Sequence, residues 1–342
     1  MRRYLGLLAL AGTLAGCSDA LEQNTTVGQF VAVASGGAST LTLIAASDFS
    51  TTVLALPTIG AASVAGRRSV LAVSVDSGKS GTLVIGDLAQ RRDAATRVIP
   101  LDTTATLAGV AIAGDSVAWA ADPGPGRLWR VNYRSGVTSS VALALVPQAG
   151  VVVTAGKVFV PILTAPSSEV LAGVDTATGT VRSTIVLSIG AFRSSTVGGD
   201  SLLYVVSNNP GVGNANRLAI VDPIAGQELV VIDNVGPTPG TPVFHPSGRL
   251  LIPTAGAGIV EINTLTRAVS RGPGQALPGV RPAGDSVIVA LAVDQGGRLY
   301  ALDAGAGATG TVRILSGPPD YNVVGSIAIA AGLTAAAVAA IP

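Results

Sequence analysis

One period organises most of this chain. Glycines at short strand-to-strand turns stand at Gly66, Gly114, Gly156, Gly199, Gly248 and Gly297. A second marker, an Asp or Asn closing a strand-like run, stands at Asp48, Asp87, Asn132, Asp175, Asp222 and Asn263. Successive members of either set lie 39 to 49 residues apart. The segment 146–187 shows what one period contains: VPQAGVVVTAG, KVFVPILT, SEVLAGVDTATG and TVRSTIVL, four strand-like pieces designated A to D. Four short strands in each repeat of roughly 40–50 residues form the unit of a β-propeller, where each blade buries its faces against its two neighbours.

Groups of the type B–C–D begin near residues 30, 69, 116, 157, 201, 249 and 298, so the sequence predicts seven blades. The first group, FVAVASG, STLTLIAASDF and STTVLALP, has no strand A before it, while the chain ends on a strand-like piece without partners, LTAAAVAAIP at 333–342. Each gap supplies what the other lacks. The expected fold is all-β: a seven-bladed propeller of four-stranded antiparallel blades over 29–342, its first blade completed by the C-terminal strand. Such pairing leaves no open edge between the first and last blades.

Composition agrees. Gly is abundant at 43, charged residues are 12% and aromatics 4%, and short Val-, Ile-, Leu-, Thr- and Ala-rich runs alternate with Gly, Pro, Asp and Asn. That pattern suits many short strands and tight turns. The uncharged run 321–342 has the length of a membrane helix, but its Asn322, Ser326, Thr334 and many alanines fit strands better. A transmembrane barrel would need aromatic girdles that five Tyr, five Phe and two Trp do not readily supply. The markers also have structural reasons to exist. An Asp or Asn side chain accepts a hydrogen bond from the backbone two residues on, and Gly supplies the positive φ that turns demand.

The N-terminus carries a different message. Arg2 and Arg3 precede an apolar stretch from Leu5 to Leu14, and small residues then lead into a cysteine. This is the three-part layout of a secretory signal. The tetrad Leu14-Ala15-Gly16-Cys17 resembles the lipobox of bacterial lipoproteins, and Cys17 is the only cysteine in the chain. The resemblance implies cleavage of residues 1–16, acylation of Cys17, and a short tether over 17–28. The partner expected there is a lipid bilayer, with two or three acyl chains making a stable anchor. Ser18 rather than Asp follows the Cys, which by the sorting rule of enteric lipoproteins favours the outer membrane where the cell has one.

The repeats at FHPSGRLLIP (244–253), LYVVSN (203–208), RLAIVDPIAGQELVVI (217–232) and VDTATGTVRSTIVL (174–187) resemble those of YVTN-type propellers. That resemblance implies a scaffold or binding role without a fixed catalytic set. Two repeats depart from the pattern: Thr266-Arg267 stands where a Thr-Gly turn is wanted, and SGPPD closes strand C of the seventh blade.

Catalytic chemistry is hard to assemble. The one histidine, His245, lies in HPSG at a predicted turn and reads as a turn or inter-blade packing residue. A hydroxyl nucleophile usually wants His as its base, and zinc usually wants several His or Cys ligands. No dense D-x-D-x-D-G array is present, nor the Ser-x-Asp-x-Gly-x-Thr-Trp boxes of sialidases, and GAGAGATG lacks the Lys and following helix of a phosphate loop. Neither cofactor nor metal is expected. Export would remove two arginines and leave 19 basic against 20 acidic side chains, so no nucleic-acid partner is implied.

Recognition by loops is more plausible, since a rigid scaffold commonly presents its binding residues there. The B–C loops 122–126, 164–168, 207–216 and 303–310 should emerge on one face with the D–A loops. The longest offers Asn208, Asn209, Asn214 and Asn216, with Arg217 beside them, as the candidate binding set. Two functions compete. One is a monomeric envelope lipoprotein whose propeller binds a protein, peptide or glycan. The other is a lactonase-like hydrolase using carboxylates, with Ca²⁺ as its possible ion, in the central channel.

Overall fold

The computed structural model describes residues 28–341 apart from 79, 90–94, 103, 144, 166–167, 191, 208–215, 255–256, 276–286, 305–308 and 331. Seven antiparallel sheets follow one another around a ring. In blade 1 the order is Leu333–Ile341, Gly28–Ser35, Thr40–Ala45, Thr51–Ala55, so the C-terminal strand is indeed the innermost strand of the first blade. Its register runs from Gly28↔Ile341 to Ser35↔Leu333. The run 321–342 therefore supplies strand D of blade 7 (Val323–Ala330) and strand A of blade 1, and among the described residues no helix is long and apolar enough to cross a membrane.

Blades 2, 3, 5, 6 and 7 take their strands A to D in simple chain order. Blade 4 departs from expectation. Its strand A is split into Val146–Pro147 and Val152–Thr154, both paired with Lys157–Ala165. The piece between them includes Gly150, where a Cβ would lie within 2.9 Å of the Ser194 backbone in blade 5.

Alternation along the strands sends apolar side chains to both faces of every blade, and each adjacent pair of blades shares its own buried cluster. The cluster closing the ring joins Val31, Val33 and Ile44 of blade 1 to Tyr300, Val312 and Ile314 of blade 7, with Leu333 from the C-terminal strand. Near the axis the backbones themselves crowd. A Cβ on Gly66 would lie 2.0 Å from the Val338 carbonyl oxygen, and one on Gly109 would lie 1.9 Å from that of Ala149. Small residues in the inner strands thus follow from geometry.

The strand-C marker behaves as expected in six blades. The side-chain oxygens of Asp48, Asp87, Asn132, Asp175, Asp222 and Asn263 each accept the backbone N–H two residues on. The left-handed residue that completes the turn is Gly136, Gly179 or Gly226 in blades 3, 4 and 5, and Arg267 takes that conformation at φ 56° in blade 6.

The glycine marker needs correction at three turns, since Gly114 of blade 3 has no positive φ either. Gly66 lies within strand A of blade 2 (Ala61–Arg67), where close approach to blade 1 requires it, while the positive φ at that turn belongs to Arg68. In blade 5 the positive φ belongs to Ser201 rather than Gly199.

Candidate interaction surfaces

Propeller geometry gives the ring an axial channel and two loop faces. Inner strands of blades 5, 6, 7 and 1 line a cavity of about 260 Å³ with Thr196, Phe244, Leu291, Val293 and Ala337. Ligand pockets usually run to about 300–1,000 Å³ and add convergent polar groups. The residues lining this one include no carboxylate, and among the described residues no three His, Cys, Asp or Glu side chains come together.

The B–C and D–A loops share one face, as the sequence implies. Its best-built feature is a knot of charge between blades 2 and 3. Asp122 ends strand B of blade 3 (Val117–Asp122) and is fully buried. Its Oδ1 accepts the Thr106 N–H at 2.9 Å, and its Oδ2 accepts the Trp129 indole N–H at 2.9 Å and Arg127 Nε–H at 3.3 Å. Arg127 also donates to Asp102 at 2.7 Å, across the blade boundary, and stacks over the Trp129 ring. The hydrogen bond to Asp102 leads the causes that raise the Arg127 pKa above its ordinary value. Blade 7 repeats the strand-B carboxylate and strand-C arginine as Asp303 and Arg313, 3.1 Å apart.

Asp122 and Asp303 are buried inter-strand clasps, as is Glu261, which pairs with Arg249 and accepts the Tyr321 hydroxyl. The signal available in the sequence was an Asp closing strand B with an Arg at or near the start of strand C, as in DPGPGR.

The candidate loop is only partly described: Asn208, Asn209 and Asn214 lie outside the described residues. Asn216 is 3% exposed and donates its side-chain N–H to the Gly236 carbonyl at 2.9 Å, so it anchors the base of the loop instead of facing a ligand. Arg217 is more open and pairs with Asp233 at 2.8 Å. His245 is buried. Its Nδ1 accepts the Ser247 N–H, which leaves Nε2 to donate to the Gly297 carbonyl of blade 7 at 2.9 Å. It is both the turn residue and the inter-blade packing residue that its setting suggested.

The opposite face carries the A–B and C–D turns. Arg67, Arg68, Asp87, Asp115, Tyr133 and Arg134 border a shallow cavity of about 190 Å³ there. Further round, Ile224 and Leu265 occupy the same turn position in blades 5 and 6, 79% and 90% exposed. Cys17 and the signal 1–16 lie outside the described residues.

With the geometry defined, comparison places the architecture among known folds. No family model matches the chain, and no curated protein matches it. The fold is shared all the same. A functionally unknown protein from Desulfotomaculum acetoxidans superposes with a TM-score of 0.69 at 15% identity, covering 92% of this chain and 99% of that one. Hydrazine synthase of Kuenenia stuttgartiensis gives 0.65 at 14% identity, covering 81% and 88%. Virginiamycin B lyase of Staphylococcus aureus gives 0.60 at 15% identity, covering 79% and 84%. At such identities the likeness establishes the fold alone.

Buried tyrosines supply a pH-dependent property. Burial, with a hydrogen bond to Asp200, pushes the Tyr204 phenol far up; burial with Glu261 does the same for Tyr321; burial beside Asp294 takes Tyr300 to about 12. Burial also raises Tyr133. The unfolded chain releases these protons first, near pH 10, so their contribution to stability is complete below that pH and declines as pH rises through about 12. Melting temperature should therefore fall steeply above pH 10, and in a chain without residues 1–16, which carry Tyr4, tyrosinate absorbance should appear only with unfolding. Reversible tyrosine titration near pH 10 in the intact ring would contradict these environments.

Proposed function

We propose that the protein is an exported, lipid-anchored cell-envelope protein whose propeller is a binding or scaffold module for an envelope protein, peptide or glycan. The outer membrane is the favoured site where the cell has one. The observation that carries this reading is the tetrad Leu14-Ala15-Gly16-Cys17, placed directly after an apolar signal stretch and ahead of a single ring-closed domain. Acylation of Cys17 would hold the domain at a bilayer. The chemical inventory supports binding over catalysis. The lone His is held by Ser247 and Gly297, and Asp122, Asp303 and Glu261 are buried with arginine partners. Resemblance to YVTN-type repeats points the same way.

The B–C/D–A face is the surface proposed for recognition, with the loop bearing Asn208, Asn209 and Asn214 as its most polar element and Arg217 at its edge. A carboxylate hydrolase in the channel has no observation in its favour, because no Asp or Glu is among the residues that line the cavity. Cross-linking in the native envelope, followed by purification of the lipidated protein beside a Cys17→Ala control, tests the reading. A reproducible envelope partner, recovered with the acylated protein and lost or reduced in the control, is the expected result. Intact anchoring with no protein or glycan captured would overturn it.

A further inference from the structure

The entry point of the chain decides which face meets the membrane, provided that Cys17 is the anchor proposed above. Gly28 pairs with Ile341, at the end of strand A where other blades turn into strand B. Gln29 accepts, on its side-chain oxygen, the N–H of Gln295 in the A–B turn of blade 7, and its carbonyl accepts the N–H of Ala46 in the C–D turn of blade 1. Arg67 is close by, since the preceding Gly66 abuts Val338 in the same terminal strand. The chain therefore enters the ring at Gly28 on the A–B/C–D face, beside the arginines of blade 2.

The length of the tether restricts the alternatives. From Cys17 to Gly28 the chain takes eleven steps, which fully extended reach about 40 Å. A nine-residue inner strand is about 30 Å deep, and crossing strands C and D adds roughly 10 Å more. Placing the opposite face on the bilayer would consume the whole tether in running over the rim. Leaving from the A–B/C–D face needs almost none of it.

One part of that face, in blades 2 and 3, offers arginines to an anionic lipid surface. Arg67, Arg134 and Arg267 are exposed and have no acidic partner among the described residues, and Arg68 is 70% exposed in its pair with Asp115. Carboxylates share the face, Asp48, Asp175 and Asp222 in their own turns and Asp200 and Asp320 exposed, so the excess of cations is local: Arg67, Arg68 and Arg134 against Asp87 and Asp115 around one cavity. Val137 is exposed in the C–D turn of Arg134, Leu265 in that of Arg267, and Ile224 in the C–D turn of blade 5. Arginines bind phosphates through paired N–H donors, and apolar side chains among cations suit the headgroup boundary.

We propose that the A–B/C–D face lies on the membrane, with Arg67, Arg68 and Arg134 on anionic lipid phosphates and Ile224 and Leu265 in the headgroup layer. The B–C/D–A face is thereby turned away from the bilayer toward its partner.

Full-length acylated protein in vesicles of phosphatidylglycerol and phosphatidylethanolamine provides the test. Cys17 is the only native cysteine and its thiol would be acylated, so Leu265→Cys or Pro125→Cys takes a fluorophore alone. A headgroup-level quencher should quench the label at 265 several-fold more than the label at 125, on the opposite face. In vesicles of phosphatidylcholine alone, or with Arg67→Gln, Arg68→Gln and Arg134→Gln combined, the difference should shrink at least twofold while the melting curve is retained. Equal or reversed quenching in acylated protein overturns the orientation, and quenching indifferent to anionic lipid and to the arginines overturns the phosphate contact. Intact mass on the same sample separates these from failure of the anchor: an unmodified Cys17 overturns the anchor and, with it, the proposal.

Discussion

Removing residues 333–342 should lower the melting temperature by more than about 10 °C or prevent folding altogether. The segment is strand A of blade 1, hydrogen-bonded along Gly28–Ser35, and it also touches the inner strands of blades 2 and 7. Its loss would open the strand Gly28–Ser35 to solvent and remove Leu333 and Ala339 from the clusters that join blade 1 to blades 7 and 2. Burial contributes about 25 cal/mol per Å² of apolar surface, so a strand of this size amounts to several kcal/mol before its backbone bonds are counted. In a domain larger than 150 residues each kcal/mol shifts melting by roughly 2–4 °C or less. Differential scanning calorimetry of the truncated and full chains checks this. An unchanged transition would show that the ring does not depend on its closure.

The second large effect is expected at Asp122. Replacing it with Ala leaves the Trp129 indole N–H and the Thr106 amide N–H without their acceptor, and leaves Arg127 with Asp102 as its one acidic partner. Breaking a buried, hydrogen-bonded ion pair by removing one partner costs about 3–5 kcal/mol. The melting temperature should fall by roughly 5–15 °C. Asp122→Asn keeps an acceptor oxygen for Thr106 and should lose less. Chemical denaturation of the two variants distinguishes a structural clasp from a spare surface acid: equal stability of Asp122→Ala and the parent would contradict the clasp.

These two sites differ in how visible they are in the sequence. Closure was legible because LTAAAVAAIP had no partners in its own repeat and FVAVASG lacked a strand A. The C–D turns were legible because an Asp or Asn at a strand end has one local use, and Asp175 and Asp222 put it to that use. The charge clasps were not. Asp122 and Arg127 sit five residues apart with a turn between them, a spacing that a surface loop also produces, and only the pairing of strands B and C brings them together. Gly66 was misplaced for a related reason: its constraint comes from Val338, far away in sequence, rather than from the neighbouring turn. Asn216 looked like one more polar residue of a long loop until the fold put Gly236 beside its amide.

The proposed function depends most on the first seventeen residues and on the face where the chain enters the ring at Gly28. Arg67 and Arg68, Ile224 and Leu265, and the exit at Gly28 gain a common meaning only if Cys17 carries lipid. Mass spectrometry of the N-terminal peptide of the mature protein from membranes tests that claim most directly. The account predicts a chain that begins at Cys17 with a thioether-linked diacylglycerol on its sulfur. A mature chain that begins elsewhere, or a Cys17 with a free thiol, would contradict it.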